Sequence, residues 1–149
     1  MRIFQIIALT PPGFPEPSIA IAASRAGAIG ILDLEYTQDV HAALAAISKL
    51  SRFAKGNYGV KLASHATNFL KEVVPHLPSS LKYVILTYHG GNLLEHLTHS
   101  LQHQGHTVYL ETTSLEQAQR GERMGVDGVI SKGHEAGGYV GDETTFILL

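Results

Sequence analysis

Short apolar segments alternate with longer amphipathic segments along the chain, and this alternation limits the fold more than any other feature. Several short segments, such as 29–32 and 84–86, are continuously apolar, which is typical of strands buried on both faces of a parallel sheet. Gly27, Gly105 and Gly125 each stand where a helix is expected to end before the next strand. The predicted strands are 3–9, 28–34, 58–63, 83–88, 107–112 and 128–132.

The longer segments between the strands predict helices. Segments 37–53 and 92–104 repeat apolar residues at helical spacing. Thr113, with Glu116 three residues later, gives a capping-box pattern in which Thr113 is the predicted N-cap. With a last helix beginning within 142–149, six βα units can be counted, which fold as a doubly wound sheet or as a barrel. The predicted apolar stripe of 92–104 consists of Leu93, Leu94, Leu97 and Leu101.

Composition and charge exclude several function classes. Hydrophobic residues make up 44% of the chain and charged residues 16%, as in an ordered globular domain. The net charge is −2 and there is no basic block, so neither nucleic acid nor an anionic membrane is an expected partner. Cysteine is absent, which excludes disulfides. No apolar stretch approaches the roughly 20 residues of a membrane span, so we expect a soluble protein. The absence of cysteine is compatible with a reducing compartment, and we expect a cytoplasmic location.

The length indicates an incomplete barrel. A whole (β/α)8 barrel needs about 250 residues, whereas this chain has 149 residues and ends on an apolar run at 144–149. We therefore expect a single domain over 1–149, a partial barrel that belongs to a longer polypeptide. Its uncovered strand edges favour association into a homo-oligomer.

A glycine-rich segment, 131–141, is the strongest local signal. It follows a predicted strand and places four glycines within nine residues. At the carboxyl end of a parallel strand, such a loop brings backbone N–H groups close to a ligand and orients them towards an anion. A flexible surface loop is the alternative interpretation.

The segment resembles the flavin-binding stretch Gln-Gly-x-Glu-Ala-Gly-Gly-His-x-Gly of nitronate monooxygenases (2-nitropropane dioxygenases) and of FMN-dependent enoyl-acyl-carrier-protein reductases. Segments 22–32 and 59–62 resemble earlier motifs of the same family, so the resemblance covers nearly all of the chain. It implies a (β/α)8 barrel of the TIM type that holds FMN over the carboxyl ends of its strands, with phosphate-binding segments after strands seven and eight. The matching loop residues are Gly133, Glu135, Ala136, Gly137, Gly138 and Gly141.

Three pocket positions depart from the family pattern. Tyr139 replaces the histidine that follows the paired glycines, Lys61 replaces an asparagine after strand three, and Lys132 replaces the glutamine before the loop. The resemblance makes Tyr139 and His89, which ends the predicted fourth strand, the candidate catalytic proton carriers, with a structural turn histidine as the alternative for His89. The candidate cofactor-binding residues are Lys61, Lys132, Gly133, Glu135, Gly137 and Gly138.

Charged residues at the mouth of a barrel need partners, because a lone buried charge is costly. Glu111 lies near the end of the fifth predicted strand, and we expect it to pair with Lys61 or Lys132 across the mouth. Alternatively, the two lysines face an electron-rich flavin or an anionic substrate. A third interpretation makes one of them a Schiff-base lysine of an isomerase or aldolase barrel, which requires a lowered pKa.

The histidines of one helix raise the question of a metal site. His96, His99 and His103 share the face of segment 92–104 opposite the leucine stripe, so they point to solvent or to a partner. Zinc needs about four ligands and prefers histidines braced by carboxylates. We therefore expect adventitious metal capture at most.

Besides the isomerase or aldolase interpretation, two functions remain open from the sequence. The first is an FMN-dependent oxidoreductase domain that acts on an alkyl nitronate or an enoyl thioester. The second is a catalytically degenerate barrel that serves as a scaffold domain in a larger acyl-chain synthase of the polyketide or fatty-acid type. The substitutions at positions 61, 132 and 139 favour the second function, because they alter three pocket positions at once.

Overall fold

The computed structural model describes residues 4–148 and shows one parallel sheet surrounded by helices. The strands are β1 (Ile7–Leu9), β2 (Ile29–Asp33), β3 (Tyr58–Ala63), β4 (Tyr83–Thr87), β5 (Thr107–Thr112) and β6 (Gly128–Ser131). The helices are α1 (Ser18–Arg25), α2 (Val40–Phe53), α3 (Thr67–Val73), α4 (Asn92–His103), α5 (Leu115–Met124) and α6 (Thr145–Leu148), and a short 3-10 turn at Val74–His76 follows α3.

The strand order decides between the two folds that repeated βα units allow. Each strand pairs in parallel with its neighbour in sequence, in the order β1-β2-β3-β4-β5-β6. A doubly wound sheet reverses its order at a switch point, whereas a barrel adds each strand on the same side of the last. The six βα units therefore form a curled part of a barrel, and the predicted incomplete (β/α)8 barrel of the TIM type is confirmed.

The two faces of the sheet carry separate cores. The larger core lies between the sheet and the helices and includes Leu32, Val60 and Leu86. The smaller one lies on the opposite, inner face of the barrel and is formed by Ile31 and Ile85 with their neighbours. Because side chains alternate between the faces of a strand, the position of a residue along its strand decides whether it contacts the helices or the barrel interior.

Most predicted boundaries agree with the structure. Strands β2 to β6 begin and end within one residue of their predicted limits, and Gly27, Gly105 and Gly125 all have positive φ at helix ends. Strand β1 is shorter than predicted, because only Ile7–Leu9 pairs with β2. The first predicted residue, at position 3, lies outside the described residues. Helix α2 begins at Val40 rather than near 37, since the Asp39 carboxylate accepts a hydrogen bond from the Ala42 N–H and caps it.

The leucine stripe of α4 is correct for three of its four members. Leu94 and Leu101 are fully buried and Leu97 is half-buried against the larger core. Leu93 is 45% exposed and borders a surface groove between α3 and α4, so its predicted place in the stripe is wrong. The reason is geometric, because a residue next to a buried one is rotated by about 100° around the helix axis.

The predicted N-cap of α5 is wrong by one residue. Ser114, not Thr113, caps the helix by accepting a hydrogen bond from the Gln117 N–H. In the opposite direction, Gln117 Oε1 accepts a hydrogen bond from the Thr113 N–H at 2.8 Å. Strand β5 runs to Thr112, so the chain needs both following residues to turn before the helix begins. Glu116 therefore takes no part in the cap.

This cap gives a direct stability prediction. Replacing Ser114 with alanine removes the acceptor for the Gln117 N–H, and we expect the free energy of unfolding to fall by about 1 kcal/mol. Thr113→Ala, which leaves that acceptor in place, is the matched control and should have a clearly smaller effect. Urea denaturation followed by circular dichroism measures both variants. An equal or larger loss for Thr113→Ala would show that the cap is assigned to the wrong residue.

None of the helices within residues 4–148 combines the length and the apolar character needed to cross a bilayer.

Candidate functional site

A cavity of about 410 Å³ lies at the carboxyl ends of the strands, on the inner face of the barrel. Its walls come from the loop after β1, from the ends of β2, β3 and β5, and from the glycine loop after β6. Ligands of barrel proteins bind at this end of the strands, and pockets for small molecules usually have volumes of about 300–1,000 Å³. The cavity is therefore the candidate functional site.

A buried network of charges lines the cavity. Lys61, 2% exposed, places its Nζ 2.8 Å from Glu35 Oε2, 3.0 Å from Glu111 Oε2 and 3.6 Å from Asp33 Oδ2. The other oxygen of Glu111, Oε1, lies 3.2 Å from Lys132 Nζ. Glu111 thus bridges both lysines across the mouth, which confirms the predicted pairing. We call these five residues the mouth network.

The alternation of side chains explains why these groups converge. Asp33 has the same parity along β2 as Ile29 and Ile31, which lie in the inner core, and Lys61 is its register partner on β3. Glu111 follows Tyr109 on the inner face in the same way. Sequence analysis missed Asp33 and Glu35. The signal was present, since both continue the inner-face alternation of the second strand beyond its apolar part.

The mouth network determines the acid–base properties of Lys61. Burial disfavours its charged form, but the hydrogen bond to Glu35 and the attraction of Glu111 and Asp33 outweigh burial, so the pKa of Lys61 is raised. Schiff-base chemistry requires a lysine that loses its proton near neutral pH. The structure therefore argues against the Schiff-base role for Lys61.

Two histidines and a tyrosine form a cluster on the rim of the barrel. The ring of His89 lies 4.0 Å from the ring of His65 and 6.1 Å from that of Tyr139, measured between centroids. The fold thus brings the two predicted proton carriers together, although both lie on the rim rather than among the cavity-lining residues. Sequence analysis missed His65, which follows β3 as closely as His89 follows β4.

His89 has further contacts that define its state. Its Nδ1 lies 3.1 Å from the Thr87 hydroxyl oxygen, which also accepts a weak hydrogen bond from the Ser64 N–H at 3.4 Å. Burial of part of the ring, followed by repulsion from His65, lowers the pKa of His89. The imidazole is therefore held mainly in its neutral form at neutral pH.

The predicted cofactor-binding residues fall into two groups. Lys61, Lys132, Gly137 and Gly138 line the cavity. Gly133 and Glu135 do not, because they connect the loop to the start of α6. The Gly133 N–H donates to Thr145 Oγ1 at 3.0 Å, and the Glu135 carboxylate accepts from the Thr145 N–H at 3.0 Å. Hydrogen bonding from the Thr145 side chain, and then from backbone N–H groups, lowers the pKa of Glu135.

Among the glycines of the loop, Gly138 is the one with a positive φ. Its φ is +81°, a conformation that residues with side chains rarely adopt. A Cβ atom there would lie 3.4 Å from Lys132 Nζ and 3.8 Å from the Tyr36 hydroxyl. These distances are ordinary van der Waals contacts, so the preference for glycine at this position comes from the backbone conformation rather than from lack of space.

The histidines of α4 lie where the sequence predicts. His96, His99 and His103 are exposed on the side of the helix opposite Leu94 and Leu101. Over the described part of the chain, no three side chains of the metal-binding types are placed to share an ion.

Comparisons with known proteins agree with the motif resemblance. No family model matches the chain. A protein of Saccharomyces cerevisiae named “Putative nitronate monooxygenase” is 28% identical over 91 residues, which are 61% of this chain and 22% of that protein. The resemblance to nitronate monooxygenases drawn from the motifs is thereby confirmed.

Solved structures show the same fold. Two structures of FabK from Thermotoga maritima, one of them a single-residue mutant, superpose on 97% of this chain with TM-scores of 0.79 and 0.80 and identities of 28% and 26%. The chain covers 45% and 48% of them. A nitroalkane oxidase from Streptomyces ansochromogenes superposes on 91% of the chain with a TM-score of 0.72 and 19% identity, and 48% of it is covered. The chain thus spans about half the length of these structures.

Proposed function

We propose that this chain supplies six βα units of an FMN-dependent oxidoreductase barrel, and that the substrate is an enoyl thioester. The observation that carries the proposal is the position of the cavity. It lies at the carboxyl ends of the strands and is bounded by the glycine loop whose sequence resembles the flavin-binding stretch of the family. FabK, which matches the chain in fold and sequence, and the yeast protein, which matches it in sequence, support the oxidoreductase barrel.

The residues of the cavity fit the ring system of FMN. Gly137 and Gly138 leave one wall free of side chains, and a flat ring needs such a wall for close contact with backbone. Lys132 has three N–H donors, and within residues 4–148 one of them is used, for Glu111. The others are available to an electron-rich ring edge. The phosphate-binding segments that the resemblance implies follow strands seven and eight and lie beyond the six strands described.

Each residue would then have a distinct task. Bound FMN would supply the acceptor or donor of electrons for the reaction. Lys132 would orient the ligand through its free N–H groups, and Lys61 would keep the carboxylates of the mouth network in place. His89, held by Thr87 and facing Tyr139 on the rim, would exchange protons with a substrate group that reaches over the rim.

The charge of the mouth favours a neutral substrate over an anion. The network holds two ammonium groups and three carboxylates. It therefore offers no net positive charge to an alkyl nitronate, which is an anion. An enoyl thioester is neutral and approaches such a site without electrostatic penalty.

Flavin binding is tested by visible absorption of the full-length protein during titration with FMN. We expect a shifted flavin spectrum on binding. We expect Gly138→Ala to weaken FMN binding by about tenfold or more, or roughly 1.4 kcal/mol, because the added Cβ enters the space beside Lys132 and strains the backbone. Gly105→Ala is the matched control. It has a similar φ of +90°, but it lies at the opposite end of the sheet with open space around it.

The substrate class is tested on the FMN-loaded protein without oxygen. After chemical reduction of the flavin, an enoyl thioester should restore the visible absorption within one turnover. An alkyl nitronate added to the oxidised protein should leave the spectrum unchanged. Bleaching by the nitronate, with no response to the thioester, would reassign the substrate to the nitronates.

A second function is favoured by one observation, the full engagement of Lys61 by three carboxylates. A barrel that has lost its cofactor would keep such a network for stability alone and serve as a scaffold in a longer acyl-chain synthase. A well-folded full-length protein that neither contains nor binds FMN would show that the barrel has lost its cofactor, as this alternative requires.

A further inference from the structure

We infer that Asp33 carries a proton at neutral pH and is the proton donor of the cavity. The inference rests on the proposed function for its substrate, but the protonation of Asp33 is a property of the chain itself. Asp33 lines the cavity and is buried.

The first argument is a count of charges. The five residues of the mouth network would carry three negative and two positive charges if all were ionised. An unbalanced charge in a buried site is costly. When carboxylates crowd together, one of them takes up a proton. The network therefore reaches neutrality by binding a single proton.

The geometry selects Asp33 as the group that holds this proton. Glu35 and Glu111 approach Lys61 Nζ to 2.8 Å and 3.0 Å, which are distances of charged hydrogen bonds. Asp33 Oδ2 lies farther away, at 3.6 Å, beyond hydrogen-bond reach of the ammonium. Asp33 Oδ1 accepts the Glu35 N–H at 2.9 Å, so Oδ2 is the oxygen left to carry the hydrogen.

On balance, the surroundings of Asp33 favour its protonated form. Burial is the main cause that raises its pKa, and repulsion from Glu35 and Glu111 adds to it. The Glu35 N–H and the charge of Lys61 oppose the rise without cancelling it. On the remaining side, the backbone N–H of Asp33 is held by Thr10 Oγ1 of the loop after β1, which fixes the residue in place.

Such a group can deliver a proton to a substrate in the cavity. The O–H bond of Asp33 breaks, a bond forms between that hydrogen and an anionic carbon or oxygen of the substrate, and the carboxylate that remains faces the ammonium of Lys61. Solvent then returns a proton to Asp33. Reduction of an enoyl thioester generates an anion of this kind, which makes Asp33 a proton donor distinct from His89 on the rim.

Infrared spectroscopy of the full-length protein, without substrate or added FMN, tests the protonation. We expect the carbonyl band of a protonated carboxyl group at neutral pH, shifted in D2O, absent from Asp33→Asn and lost as the pH is raised. Glu35→Gln should also weaken the band while Asp33 is still present, because two carboxylates then balance two ammonium groups. Glu16→Gln, at a surface carboxylate paired with Lys49, is the control and should keep the band.

The outcomes are separable. No such band in the folded wild-type protein, or a band that survives Asp33→Asn, would overturn the inference. If Asp33→Asn does not fold, a band of full intensity in folded Glu35→Gln would do the same. The band requires no cofactor. If the full-length protein fails to bind FMN but shows the band, the missing FMN binding refutes the proposed function and the protonation of Asp33 stands.

Discussion

Lys61→Met is expected to lower the free energy of unfolding by about 3–5 kcal/mol, the range found when one partner of a buried ion pair is removed. Methionine is close to lysine in length and fills the same space, so the loss reports charge rather than packing. Without the ammonium, Asp33, Glu35 and Glu111 face one another in a buried site. Urea denaturation followed by circular dichroism measures the loss.

The pH dependence of the variant identifies the cause. Carboxyl groups that lose their cation bind protons more readily in the folded state than in the unfolded state, so their pKa rises on folding. Stability then falls as the pH rises through the interval between the unfolded and folded pKa values. The deficit of Lys61→Met should therefore be smaller at acidic pH than at neutral pH.

Lys49→Met is the matched control for this prediction. Lys49 pairs with Glu16 on the protein surface, where solvent screens the interaction, so its replacement should change stability little. Equal losses for the two variants, or a Lys61→Met deficit that does not change with pH, would show that the mouth network does not depend on the charge of Lys61.

Gly30→Ala is expected to have the second large effect, a loss of at least about 3 kcal/mol or failure to fold, at the upper end of the range for overpacking. Helix α1 crosses β2 so closely that a Cβ atom on Gly30 would lie 1.9 Å from the backbone oxygen of Ala20. Backbone cannot rotate away as a flexible side chain can. The helix would have to move off the sheet, and the larger core on that face would open.

The control for Gly30→Ala is Gly137→Ala in the glycine loop. A Cβ atom on Gly137 meets nothing within 4 Å and its φ is not positive, so its stability in the absence of ligand should be unchanged within about 0.5 kcal/mol. Thermal unfolding of both variants gives the comparison. A Gly30→Ala protein as stable as Gly137→Ala would mean that α1 and β2 are farther apart than described.

Part of the site could be predicted from the sequence because it depends on position within an element. Glu111 and the two lysines were recognised as charges at strand ends, and the cost of an unpaired buried charge predicted their pairing. Asp33 and Glu35 were not predicted, although both continue the inner-face alternation of the second strand, because acidic residues at the end of a strand are common at exposed positions. Their burial follows from the curl of the sheet, which turns the inner face of β2 towards β5.

The cluster of side chains on the rim could likewise be predicted only in part from the sequence. His89 and Tyr139 were proposed separately, one from a strand end and the other from a motif position. Their proximity, and the presence of His65 beside them, depends on how the loops after β3, β4 and β6 fold over the barrel. Loop conformation has no periodic signal in sequence, so the cluster became visible only in three dimensions.

The sequence by itself determined the order and type of the elements, the positions of five strands within one residue, and the resemblance carried by the glycine loop. These properties are local, since side-chain periodicity and turn residues act over a few neighbours. Tertiary structure alone decided that three carboxylates surround Lys61 and that Ser114 caps α5. The first depends on strand register and curvature, which join residues far apart in the chain, and the second on where β5 stops.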